Sequence, residues 1–283
     1  MVQGHLLQPS WQSHLRAILA IARKDWLHFK RYPLNALFRI IQPIMWITPI
    51  YFLGKSFATG GTNAGFASYA GTNDYMSFIL IGTILSSYIS SVFWGMGFSL
   101  KEDMDSGVLE SNWLLPLPRV LFLIGQTVAS ITITTINGLL VLVLGWLLFG
   151  FQIHGNILPA VLVMVPMLIA LYGFGFAFAG LVLLLKEANT LVDVSDFVVS
   201  MLSGSRFPVQ VLPRLLLPLA LALPLTYGYD AVRGLLIGSH TLLPIGIEVG
   251  ILLVAMVLMT LLGSAVFRRI ERRSRRLGTI GMH

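Results

Sequence analysis

A chain of 283 residues that is 56% hydrophobic and only 11% charged lies far from a soluble domain, in which about 25% of residues carry charge. Its net charge of +7 comes from basic residues that flank apolar runs rather than from a patch interleaved with aromatics, which argues against nucleic acid and for a lipid surface as the anionic neighbour. The sequence has no cysteine, so disulfides and thiolate metal sites are excluded.

In chain order, residues 1–33 read as a cytoplasmic N-terminus with an amphipathic helix over 11–31. Trp11, Leu15, Ile18, Ala22, Trp26 and Phe29 recur every three or four residues, while Arg16, Arg23, Lys24, Lys30 and Arg31 fall largely elsewhere, the pattern of a helix lying in the membrane interface. A solvated helix packed on a partner subunit is the alternative. Pro33 should break this helix before the first span. The first long apolar run begins only near Leu34, too late for a secretory signal, so no cleavable leader is expected.

Spans are expected at 34–54, 76–100, 120–150, 157–185, 188–203 and 242–267, because about 20 apolar residues are needed to cross about 30 Å of hydrocarbon. The fifth is short and polar. Its 16 residues rise only about 24 Å, so it should continue into the next segment or be surrounded by protein. Residues 204–233 are apolar too, but Pro208, Pro213, Pro218 and Pro224 forbid one continuous helix and predict short re-entrant helices. Residues 34–267 then form one transmembrane domain, followed by a basic cytoplasmic tail over 268–283.

Six crossings place the basic residues of the amphipathic helix on the inside. Lys101, Arg119, Lys186 and the tail arginines 268, 269, 272, 273, 275 and 276 share that side, fourteen in all. Lys55, Arg206, Arg214 and Arg233 are then the four outside. That bias puts both termini in the cytoplasm.

The chain offers no catalytic constellation. Gly54-Lys55-Ser56 has Pro49 where a phosphate-binding loop needs its first glycine, so neither ATP binding nor ATP hydrolysis is expected of this chain. The six histidines, His5, His14, His28, His154, His240 and His283, show no metal-ligand spacing. Gly173-Phe174-Gly175, with Ala177, Ala179 and Gly180, reads as small-residue helix packing rather than a dinucleotide fingerprint.

Ionisable residues within spans are costly and so become functional candidates. Arg39, five residues into span one, is close enough to the interface to snorkel. Glu248, six residues into span six, should be paired, protonated or facing water. Span five places Asn189, Asp193, Asp196, Ser200 and Ser203 on one helical face, and span two places Thr83, Ser87, Ser90 and Trp94 on another. These stripes predict either a lined translocation cavity or interhelical hydrogen bonding. Asp193 and Asp196 repel each other when both are ionised, which calls for one of them to stay protonated, for a cationic partner in the chain, such as Lys186 or the amphipathic helix, or for a cationic substrate.

Between spans two and three stands Lys101-Glu102-Asp103-Met104-Asp105-Ser106-Gly107-Val108-Leu109-Glu110, closed by Pro116, Pro118 and Arg119. After span five come Arg206-Phe207-Pro208, Leu212-Pro213, then Pro224-Leu225-Thr226-Tyr227 and Asp230-Ala231-Val232-Arg233. These segments resemble the ABC-2 type permease family over nearly the whole chain. The resemblance implies an all-α integral membrane protein with six transmembrane helices, an N-terminal elbow helix, a cytoplasmic coupling helix and re-entrant helices between spans five and six. It implies that Glu102, Asp105, Gly107 and Glu110 dock on an ATPase subunit, and that Phe207, Pro208, Pro213, Pro224, Tyr227, Asp230 and Arg233 build an outer gate. Leu115-Pro116-Leu117-Pro118 departs from the small or hydroxyl residues usual there.

It further implies a permease subunit in the cell membrane, paired with a second copy and with two cytoplasmic P-loop ATPase subunits that hold ATP and Mg. Such an assembly would move an amphipathic drug-like or lipid-like substrate outward. A membrane-embedded secondary carrier or enzyme using Asp193, Asp196 and Glu248 as a proton or cation relay is the competing expectation.

Overall fold

In the computed structural model, residues 11–58, 63–98, 119–185 and 188–277 are described, and every regular element among them is helical. Helix α1 (Trp11–Arg31) ends at Tyr32, and Pro33 starts α2 (Pro33–Phe57). Proline is favoured at that first position because its missing N–H has no acceptor there. A short helix that the hydropathy pattern does not mark, α3 (Ala64–Ala70), precedes α4 (Tyr75–Val92). The Asp74 carboxylate caps α4 by accepting from the Ser77 N–H at 3.0 Å. The helix then loosens into a π-helical segment, Phe93–Phe98.

The long helices α5 (Arg119–Phe149) and α6 (Ile157–Leu185) follow, then α7 (Ala188–Leu202). Among the described residues, five helices are long and apolar enough to cross a membrane: α2, α4 with its π segment, α5, α6 and α10 (Ile245–Leu277). At 15 residues, α7 rises about 22 Å, short of the hydrocarbon thickness. It is completed by a turn whose Gly204 has φ of +70°, a left-handed conformation that favours glycine.

The proline-rich stretch breaks up as its spacing dictates, into a 3-10 turn (Val209–Val211), α8 (Leu217–Ala222) and α9 (Pro224–Ile237). Thr226 Oγ1 donates to the Ala220 carbonyl at 2.6 Å and the Tyr227 hydroxyl to that of Leu221 at 2.9 Å. These bonds satisfy the open end of α8 and fold α9 back on it.

The final helix differs from its expected bounds. Pro244 accepts from the N–H groups of Ile247 and Glu248, so α10 begins at Ile245, and Glu248 lies in its first turn rather than six residues into a span. At the other end the helix continues through Arg268, Arg269, Arg272 and Arg273 to Leu277.

Helix α10 packs chiefly along α6, and α1 along α5. The first contact explains Gly173 and Gly180 of α6. A Cβ on Gly173 would lie 2.7 Å from the Thr260 nitrogen, and one on Gly263 would collide with the Gly173 carbonyl. The backbones therefore touch directly, the small-residue packing that the Gly173-Phe174-Gly175 run predicts.

Candidate transport site

Helix α4 is the hub of the polar structure. Its Tyr88 hydroxyl shares a 2.8 Å hydrogen bond with Thr135 of α5. Ser91 pairs with the Ser130 hydroxyl of α5 and, at 3.2 Å, with the Tyr172 hydroxyl of α6. On another side, the Ser90 hydroxyl lies 3.0 and 2.9 Å from the two Asp196 carboxylate oxygens of α7. Ser200, one turn further along α7, also reaches Asp196 at 3.4 Å, and the Trp94 side chain hydrogen-bonds the same carboxylate. The two predicted stripes thus meet, but only at Ser90, Trp94, Asp196 and Ser200.

The remaining stripe residues part company. Ser87 Oγ donates within its own helix to the Thr83 carbonyl at 3.1 Å. Ser203 is buried, and its hydroxyl has no hydrogen-bond partner among the described residues. Asn189 and Asp193 are exposed beside Val194, Phe197 and Val198, so this end of α7 presents a mixed polar and apolar face outside the single chain. Among the described residues Asp193 has no ion-pair partner; Lys186 lies outside them.

The gate residues converge on Arg233. It is buried at 3% exposure, and its guanidinium donates to the carbonyls of Phe78 at 3.1 Å, Gly204 at 2.7 Å and Ser205 at 2.6 Å. It also stands 3.6 Å from the centre of the Phe78 ring. A buried cation needs such a set of acceptors, since an unsatisfied charge in a low-dielectric interior is prohibitive. The approach demands a glycine opposite: a Cβ on Gly82 would strike the Ser205 carbonyl and Arg233 Nη2. One turn before Arg233, the buried Tyr229 hydroxyl donates to Ser86 of α4 at 3.2 Å. A small cleft here is lined by Phe78, Ser203, Pro208, Tyr229, Asp230 and Arg233, among others.

Of the other gate residues, Pro208 is buried, Phe207, Pro224, Tyr227 and Asp230 are half-buried, and Pro213 is exposed. Arg206 is exposed, and its guanidinium lies 5.9 Å from the centre of the Trp46 ring on α2. Arg39 is exposed on α2. Glu248 is fully buried against the α9–α10 loop. Glu102, Asp105, Gly107 and Glu110 lie outside the described residues.

Sequence reading misses Ser86, Ser91, Ser130, Tyr172 and Tyr229, although one signal was present. Tyr229 and Arg233 are four apart and so share a helix face, which the apolar setting of α9 should have turned toward protein.

A bundle of long apolar helices, a buried polar hub and a broken hairpin pinned by one arginine define an integral membrane protein built around internal polar contacts rather than a pore of charged rings. The sequence pattern of the family described as ABC-2 type transporter matches residues 16–237, and the chain belongs to that family. It is therefore the membrane-embedded permease subunit of an ATP-binding cassette transporter, in a family whose members normally work with a cytoplasmic ATPase subunit. Among curated proteins, no relative matches the chain by sequence.

Proposed function

We propose that this permease moves an amphipathic, drug-like or lipid-like solute outward, driven by Mg-dependent ATP hydrolysis in two copies of a separate cytoplasmic subunit. In this reading it works as a dimer, with a second copy of the same chain as its partner and both termini in the cytoplasm. The carrying observation is the course of α4. It contacts the arginine-pinned hairpin near its start, through the Phe78 carbonyl, and holds Asp196 of α7 near its end. It then runs through the π segment toward residues 101–118, where Glu102, Asp105 and Glu110 would meet basic groups of the ATPase.

The exposed face of α7 supports a route between the two copies rather than through one. Phe197 and Val194 would meet the apolar part of the solute, and Asp193 would favour a positive charge on it. The test is the reconstituted complex with its ATPase. Glu110→Lys should leave assembly intact yet abolish substrate-stimulated ATP turnover, and Asp193→Asn should weaken stimulation by cationic amphiphiles about tenfold more than by neutral ones. An unaltered Glu110→Lys complex, or equal loss for both kinds of solute, would contradict the reading.

A further inference from the structure

Glu248 presents a problem that the transport reading does not solve. It is completely buried, at 0% exposure. Its Oε1 accepts from the Leu243 N–H at 3.2 Å, while Oε2, equally buried, receives no N–H or O–H donor among the described residues. The carboxyl group within hydrogen-bonding reach is that of Asp230 on α9, and Asp230 in turn accepts from the Leu242 N–H through Oδ2. Two carboxyl groups therefore face each other between α9 and the first turn of α10, each also bound to one of two successive backbone amides.

Charge counting decides what must lie between them. Arg233, one turn along α9, is a cation of this neighbourhood, and three of its N–H groups are bonded to the carbonyls of Phe78, Gly204 and Ser205. It can balance one negative charge but makes no hydrogen bond to either carboxylate. Two ionised carboxylates would leave the cluster with a net charge of about −1 and with two acceptors set together and no donor between them. One proton makes the cluster neutral and supplies the donor that Oε2 lacks. The N-terminus of α10 favours negative charge by its dipole, but with a partial charge of only about half a unit it does not replace that donor. The other titratable side chains lining the adjoining cleft are Tyr69, Tyr229 and His240; the Tyr229 hydroxyl is turned to Ser86.

We propose that Asp230 and Glu248 form a proton-binding site, with one proton held between their carboxyl groups and fastening the hairpin helix α9 to the start of α10. Loss of that proton sets the carboxylates against each other and frees the Leu242–Leu243 junction. A role in opening the gate rests on the transport reading above, but the proton site stands independently of it.

Infrared difference spectroscopy on the purified full chain in lipid nanodiscs at neutral pH reads the proton directly, because a protonated carboxyl has a carbonyl stretch clear of the amide bands. The wild type minus Glu248→Gln spectrum should contain that band, and so should wild type minus Asp230→Asn. Glu248→Gln, which keeps an N–H donor in place of the proton, should melt within a few degrees of the wild type. Absence of the band from the Glu248→Gln difference would overturn the proposal, and survival of the band in Asp230→Asn would show that the proton is not shared. A melting temperature that rises with sodium chloride but not with choline chloride, with no band lost, would assign the site to a metal cation and equally overturn it. None of these readings involves transport, so failure here leaves the permease reading intact.

Discussion

Helices α4 and α10 cross the same bilayer by opposite means. In its most apolar stretch α4 is 72% buried and α10 only 17%. The first carries Ser86, Tyr88, Ser90 and Ser91, each hydrogen-bonded to another helix. The second lies along α6 with Gly263 against Gly173 and Phe267 near Gly180. Lipid tails are as apolar as leucine, so burial of apolar surface gives little drive for one helix to choose another. What remains is close backbone packing or directed polar bonds, and this chain assigns one to each helix. Close packing fixes a single alignment, whereas hydroxyl bonds of moderate strength can be exchanged, which suits a helix that touches both the hairpin and α7.

The strongest way to break the polar side of that comparison is Arg233→Leu. It strips three carbonyls of their donors at once, and each orphaned buried acceptor costs about 1–3 kcal/mol. A total of several kcal/mol should leave little folded chain in the membrane, measured by fluorescence-detected size exclusion; normal yield and a sharp monodisperse peak would show that the hairpin does not hang on this residue. On the packing side, Gly263→Leu must push α10 away from the Gly173 carbonyl, at about 1–3 kcal/mol for overpacking. The melting temperature should fall clearly while the α4 contacts persist. An unchanged melting temperature would mean that α6 and α10 do not approach as closely as their glycines require.

Much of this was legible in the sequence. The crossings announce themselves by apolar runs and α1 by its 3.6 period, since both follow from local composition. The fragmentation of residues 204–237 follows from prolines alone. Two residues of each polar stripe were also legible as a meeting point: Ser90, Trp94, Asp196 and Ser200 come together, because periodicity shows which side chains share a face. Periodicity cannot show how far that face stays in contact, and Asn189 and Asp193 run past the end of α4 contact onto the exposed surface. The partners of Arg233 were illegible for a different reason. They are backbone carbonyls, available at every residue, and only the left-handed turn at Gly204 and the close approach at Gly82 bring them together. Glu248 was misplaced because hydropathy begins its run before Pro244, while the helix begins after it.

Helix α4 is joined to α7 by a hydroxyl–carboxylate bond and not by packing alone. A double-mutant cycle of Ser90→Ala and Asp196→Ala, read by the melting temperature of the purified chain in nanodiscs, is the direct test. Interhelical bonds of this kind are worth about 0.6 kcal/mol on average and up to about 1.7 kcal/mol, so each single change should lower the melting temperature modestly. The double variant should lose little more than Asp196→Ala alone, because that change already removes the bond to Ser90 along with those to Ser200 and Trp94. Strictly additive losses would mean that Ser90 and Asp196 act independently, and the proposed link between the hairpin helix and α7 through α4 would fall.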